Sequence, residues 1–231
     1  VSETTAIFLH GGPGFKDYLK PFFQDLSSHF KCIFYDQAKG PEVEIGHLLS
    51  QLDLHVDASS QPVILVGHSW GAVLAIEYAA RYPQKVSGLA MICSGLSHDH
   101  WFTEYQKEKE HLGLLNASAE EIFLAPHERA EGKALLDNFW ETFSEETFES
   151  LNKTYLVDYD LIAKFSTLQI PVLNIFGEMD IRFPSRITKT FSAYNPNVVN
   201  LEVKKTGHFP FVQREGRELT WQAPRTAFAK Y

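Results

Sequence analysis

The sequence predicts an α/β protein, a mainly parallel sheet covered by helices on both faces, with a helical insertion late in the chain. Three observations carry this. Short apolar runs recur along the chain: Ala6-Ile7-Phe8-Leu9, Cys32-Ile33-Phe34-Tyr35, Val63-Ile64-Leu65-Val66, Val86–Cys93, Pro171–Phe176 and Val198–Val203. Most of them, Val63-Ile64-Leu65-Val66 above all, lack the polar alternation of a half-exposed strand, as buried parallel strands do. Segments of helical period lie between them, and strand–helix alternation of this kind places helices on both faces of one sheet. Finally, Ser97–Asp158 offers several helical patterns and no convincing strand. The expected organisation is a core of residues 1–96 and 159–231 with a helical lid at 97–158.

Each element has its own local reason. The first strand ends in His10-Gly11-Gly12-Pro13-Gly14. Lys16–Phe30 follows with Tyr18, Leu19, Phe22, Phe23, Leu26 and Phe30 at helical period, and Pro21 marks a kink or a late start. The second strand ends at Asp36-Gln37, and Ile45–Val56 places Leu48, Leu49, Leu52 and Val56 on one helical face. The third strand runs into Gly67-His68-Ser69-Trp70-Gly71 and then Ala72–Tyr82, alanine-rich and free of glycine and proline. The fourth closes at Ser94-Gly95. Helical patterns in the insertion cover Trp101–Leu112, Ala119–Leu124, Gly132–Phe143 and Glu145–Tyr155. Alternation resumes at Leu161–Phe165, and the fifth strand ends at Gly177-Glu178-Met179-Asp180. Ser185–Ala193 reads as a helix, the sixth strand leads to Thr206-Gly207-His208, and a helical stretch from about Glu215 completes the chain.

Composition narrows the function. The 231 residues carry a net charge of −8, and Glu104–Glu149 alone, with twelve acidic and four basic residues, accounts for all of it. That field argues against nucleic acid or an anionic membrane as partner. It reads mainly as a solvated helical face, with attraction of a cationic substrate as the minor alternative. No apolar run is long enough to span a bilayer, and Val1–Thr5 is no signal peptide. The absent initiator methionine suggests a processed start. Cys32 and Cys93 each sit in a strand-like run and read as buried free thiols, so a cytoplasmic setting is expected. No motif asks for a cofactor, and His98 with His100 lacks the further ligands of a metal site. The expected partner is a small-molecule substrate, with the chain a monomer or homodimer.

The chemistry concentrates after the strands. A serine flanked by glycines two positions before and after, between a buried strand and a helix, sits on a strained turn with its Oγ exposed. Ser69 is therefore the candidate nucleophile. Its hydroxyl needs a base, and the base needs an acid to fix its tautomer. Downstream, Asp180 follows the fifth strand and His208 the sixth. Glu178 competes for the acid role, but the strand–Gly–x–x–Asp spacing favours Asp180. An oxyanion formed on acyl attack calls for backbone N–H donors. One is expected at Trp70 and another in the glycine loop His10–Gly14, with His10 holding that loop. Trp101, Phe102 and Trp140 of the insertion, with Phe209 beside His208, are candidates to line an apolar pocket. The insertion aromatics serve equally as packing between lid and core.

These motifs together resemble the α/β-hydrolase fold. His10-Gly11-Gly12-Pro13-Gly14, Asp36-Gln37 and Gly67-His68-Ser69-Trp70-Gly71 are similar to those of its proline iminopeptidase branch. The resemblance implies nucleophile Ser69, acid Asp180, base His208 and oxyanion donors Gly12 and Trp70. It also implies that the chain begins at the family's third strand. The family's Asp-Gln-Arg-Gly pattern reads Asp36-Gln37-Ala38-Lys39 here, and the insertion is short for that branch. The expectation is a serine hydrolase forming an acyl-enzyme from a small ester, an amide or an N-terminal peptide. A proline iminopeptidase in the strict sense and a non-catalytic small-molecule-binding scaffold are the alternatives. Dehalogenases and epoxide hydrolases are disfavoured because they place aspartate where Ser69 stands.

Overall fold

A computed structural model describes residues 4–59, 62–212 and 214–228. The start of the chain, read above as no signal peptide, lies mostly outside these residues. Six strands, β1 (Thr5–Leu9), β2 (Lys31–Phe34), β3 (Val63–His68), β4 (Val86–Ile92), β5 (Val172–Gly177) and β6 (Val198–Val203), form one sheet in the order β2-β1-β3-β4-β5-β6, and every pair is parallel. The order reverses direction between β1 and β3. At such a switch point the loops leaving adjacent strands diverge and open a crevice beyond their carboxyl ends.

Buried side chains form one cluster on each face. One gathers α2 (Ile45–Asp57) and α3 (Trp70–Arg81) over Ile7, Leu9, Leu65 and Leu89. The other gathers Phe23, Phe211, Phe228 and Leu26 over Phe8, Ile64, Val66 and Ile175. The inner strands β1, β3, β4 and β5 are buried on both sides because both sides are covered, whereas the outer strands β2 and β6 stay partly exposed. Cys93 is buried as expected, whereas Cys32, near the start of edge strand β2, is only half-buried.

The long helix expected over Lys16–Phe30 is instead a single turn, α1 (Lys20–Phe23), followed by a tighter turn over Gln24–Ser28. Pro21 sits at its start, and Asp17 accepts hydrogen bonds from the Leu19 and Lys20 N–H groups, so the helix begins late. The segment's apolar residues Tyr18, Leu19, Phe23, Leu26 and Phe30 are buried all the same, with Phe22 half-buried.

Between β4 and β5 lie α4 (His98–His111), α5 (Ala119–Phe123), α6 (Arg129–Thr142), α7 (Glu145–Leu151) and α8 (Ile162–Ser166). The Glu145–Tyr155 pattern is not one α-helix: α7 ends in a π-turn at Asn152–Leu156. Such turns recur at functional sites. The Ser185–Ala193 segment likewise divides into α9 (Ser185–Thr188) and α10 (Phe191–Tyr194). The last helix, α11 (Arg214–Ala227), carries Pro224 inside it. Among the described residues no helix is long and apolar enough to cross a membrane.

Candidate active site

The turn after β3 has little room. A Cβ on Gly71 would lie 2.0 Å from the Leu9 carbonyl oxygen, and one on Gly67 would lie 2.5 Å from the Ala72 backbone. Both positions therefore require glycine. Ser69 between them adopts φ 54°, ψ −121°, a conformation that a side chain rarely takes and that costs on the order of 1–3 kcal/mol. The surroundings hold it there: Ser69 N–H donates to the Ile92 carbonyl at 2.8 Å, and Ser94 Oγ–H donates to the Ser69 carbonyl at 3.0 Å. Oγ is thereby presented at the start of α3, beyond the carboxyl end of the sheet.

Asp180 and His208 come together across the ends of β5 and β6. His208 Nδ1 lies 3.0 Å from Asp180 Oδ2, and both side chains are buried. The other Asp180 oxygen accepts the Phe183 N–H at 3.1 Å. Glu178 is instead exposed, paired with Lys204 and accepting the Lys205 N–H. The His208 ring lies against Phe183 at 5.6 Å, Phe209 at 5.1 Å and Phe123 at 5.3 Å. Ser69 and His208 line one cavity of about 90 Å³ together with Gly12, Tyr18, His68 and Phe209. Among the described residues no hydrogen bond joins Ser69 Oγ to His208 Nε2.

A second, adjoining cavity of about 230 Å³ is bounded by Gly12, Ser69, Trp70 and the π-turn residues Asn152 and Leu156. Trp101 and Phe102 line it, whereas Trp140 and Phe209 line the first. The Gly12 and Trp70 backbone N–H groups have no hydrogen-bond partner among the described residues. The Trp70 indole is spoken for, donating to Gln37 Oε1 at 2.9 Å. His10 holds the glycine loop as expected: its Nε2 accepts the Gln37 N–H at 3.1 Å, and Gln37 returns a hydrogen bond to the His10 carbonyl at 2.8 Å. Burial lowers the His10 pKa to about 4, so the ring is neutral.

Three residues entered without a signal in the sequence. His68 reads there as a filler of the elbow, yet it is buried, contacts Tyr18 Oη through Nδ1 at 2.5 Å, and reaches the His208 carbonyl through Nε2 at 2.8 Å. Glu128, one of twelve acids in a charged stretch, is fully buried and accepts the Gly207 N–H at 2.9 Å and the Ala125 N–H at 2.8 Å. Phe123 supplies the carbonyl that accepts the His208 N–H at 2.9 Å. None belongs to a local pattern; each is defined by what it meets across the fold.

Cys93, at φ 47°, completes a buried trio with Asp180 and His208 whose ligand atoms all lie within 4.8 Å of one another. That is close enough to share a cation, but His208 and Asp180 are already bonded to each other, and burial raises the Cys93 thiol pKa well above its usual value. The neutral thiol that this favours is a poor metal ligand. The acidic stretch does not face the substrate space: no carboxylate lines either cavity among the described residues. The reading of that charge as a solvated face fits this placement: Glu104, Glu108, Asp137 and Glu149 pair with Lys107, Arg186, Lys133 and Lys153 away from the cavities, and Glu128 binds backbone.

Residues 56–167 match the family model described as the alpha/beta hydrolase fold. Over 109 residues the chain is 38% identical to a proline iminopeptidase of Saccharolobus solfataricus, covering 42% of this chain and 34% of that protein. It is 27% identical over 215 residues to a haloalkane dehalogenase of Mesorhizobium japonicum, covering 87% of this chain and 66% of that one. A pimeloyl-[acyl-carrier protein] methyl ester esterase of Serratia marcescens is 26% identical over 239 residues, covering 94% of this chain and 92% of that enzyme. The chain thus spans about a third of the iminopeptidase and under two thirds of the dehalogenase. Among solved structures, a thermophilic esterase from Thermogutta terrifontis superposes with TM-score 0.76 at 16% identity, covering 98% of this chain and 90% of that one. The parallel sheet, the strained serine elbow and these relatives converge: the chain has the α/β-hydrolase fold and resembles the proline iminopeptidase-like branch.

Proposed function

We propose that this protein is a serine hydrolase that cleaves a small ester through an acyl-enzyme. The observation that carries the reading is the Asp180–His208 hydrogen bond at 3.0 Å on the wall of the cavity that Ser69, held at φ 54°, also lines. Asp180 accepts from Nδ1–H, which leaves the His208 Nε2 lone pair for the Ser69 hydroxyl. A bond between those two is often long before substrate binds and tightens in the Michaelis complex. Ser69 Oγ adds to the ester carbonyl as His208 takes its proton. The carbonyl oxygen gains the charge and rests on the unpartnered Gly12 and Trp70 N–H groups, a contribution on the order of 3 kcal/mol for each donor. The tetrahedral adduct collapses as His208 returns the proton to the departing alcohol. Water, deprotonated by the same imidazole, then releases the acid and restores Ser69. Helices α4–α7 act as the lid over this space.

Ester is favoured over an N-terminal amine because no carboxylate faces the cavities among the described residues. Serine at the elbow favours acyl transfer over dehalogenation, despite the dehalogenase relative. The test is a fluorophosphonate probe and a panel of p-nitrophenyl esters beside proline naphthylamide, on the wild type and Ser69→Ala. The expected outcome is labelling and ester turnover in the wild type, both lost in the variant, with kcat down by roughly 10³-fold or more. Wild-type protein that resists the probe would reject the reading in favour of a binding scaffold, and faster cleavage of the naphthylamide than of esters would make it an iminopeptidase.

A further inference from the structure

Two arginines follow Asp180 closely, and they are treated differently. Arg186 lies outside and pairs with Glu104 and Glu108 of α4. Arg182 turns inward and lines both cavities that border Ser69. Its guanidinium carbon sits 4.3 Å from the centre of the Trp101 ring and 5.1 Å from that of Tyr105. Among the described residues no carboxylate forms an ion pair with it; the Tyr105 phenol is its hydrogen-bonding neighbour, and the Asp180 charge acts on it from beyond ion-pair distance.

A guanidinium cannot escape burial by releasing its proton. Desolvation works against the charge, and stacking on two aromatic rings offsets only part of that cost. Val73, Leu156, Phe102 and Phe183 give the larger cavity a mostly apolar wall, interrupted by His98, Asn152 and Tyr159. One fixed positive charge on the wall, no carboxylate among the lining residues and a mostly apolar surface together describe a cavity complementary to an aliphatic anion.

Resting on the hydrolase reading above, we infer that the substrate carries a free carboxylate besides its scissile ester, and that Arg182 is the residue that binds it. The planar fork of Arg182 suits the two oxygens of a carboxylate, held in place by Trp101 and Tyr105. Arg182 is thus a specificity residue: it selects the substrate without touching the reacting carbonyl.

The test has a binding arm and a turnover arm. Calorimetry compares octanoate with octanamide on the wild-type protein, Arg182→Lys and Arg182→Gln. The expected wild-type preference for octanoate is about tenfold to a hundredfold, as a charge-assisted bond supplies. Arg182→Lys keeps part of that preference and Arg182→Gln removes it. A purely structural clamp on α4 would weaken both ligands together and leave their ratio alone. Turnover compares the mono-p-nitrophenyl ester of suberic acid with p-nitrophenyl octanoate, and para-acetoxybenzoate with phenyl acetate, so that the carboxylate is offered on either side of the ester. Preference for the anionic member in one pair, lost in Arg182→Gln, is the expected result. Equal binding of octanoate and octanamide would overturn the inference even if esters are hydrolysed. Carboxylate binding that depends on Arg182, with no ester cleaved and no probe captured, would uphold Arg182 as the carboxylate-binding residue while the hydrolase reading fails.

Discussion

The two walls of the Ser69 cavity are built in opposite ways. The nucleophile wall is local: strand, five-residue turn and helix are contiguous, and the backbone of Leu9 and Ala72 presses on Gly71 and Gly67. The imidazole wall is assembled from afar. Asp180 precedes His208 by 28 residues, and the loop carrying His208 hangs on Phe123 and Glu128, some 80 residues earlier. A local wall is rigid by sterics; a distant one is only as well placed as the helices that support it. Damage to the helical segment should therefore reach the base before it reaches the nucleophile. His68 spans both walls: it precedes Ser69 in the chain and is bonded to the His208 carbonyl.

That asymmetry can be broken most severely at the elbow. Gly71→Ala places a methyl group 2.0 Å from the Leu9 carbonyl, where strand β1 cannot yield without parting from β2 and β3. A loss of at least about 4 kcal/mol is expected, read as failure to fold or a collapse of the urea midpoint. A variant of near-native stability would mean that the turn is not sterically fixed.

A smaller effect comes from pH, through the neutral imidazoles beside and within the elbow. His10 is held at a pKa of about 4 against 6.5 in the unfolded chain, and burial lowers His68 in the same direction. Unfolding therefore takes up protons below pH 6.5. Stability is complete above that value and declines as pH falls toward 4, by about 3 kcal/mol for His10 alone. Urea titrations across this window should show the decline, and His10→Asn should flatten its slope. An unchanged slope would mean that this ring is charged in the fold.

The mildest test addresses the distant wall. Glu128→Ala leaves the Gly207 and Ala125 N–H groups without their acceptor, at a cost on the order of 2 kcal/mol. Because the loop that loosens carries His208, ester turnover and phosphonate capture should slow together while the elbow stays folded. Turnover unaffected by Glu128→Ala would show that the imidazole is placed without the help of the helical segment.

The same division explains what could be read early. The sheet was legible because strands covered on both faces are apolar throughout, a property of each short run. The elbow was legible because its two glycines answer to contacts within one turn and an adjacent strand. Asp180 and His208 were legible as residues just past strand ends, where parallel sheets gather chemistry. Over Lys16–Phe30 the late start signalled by Pro21 is present, but period alone could not show that the helix is a single turn, with Asp17 bonded at its start and a tighter turn after it. Twelve acids in a row of helices gave a charge but not a direction: one of them turned inward to bind backbone, others outward to pair.

By itself, then, the sequence determined the class of fold, the elbow that makes Ser69 the candidate nucleophile, and the order of the polar residues along the chain, since each depends on spacing within a single element or on the ends of strands. Only the tertiary structure decided that His68 links the two walls, that Glu128 supports the histidine loop, and that Arg182 faces the cavity while Arg186 does not. Those assignments turn on which way a side chain points across tens of residues, and periodicity within one element carries no information about its neighbour in space.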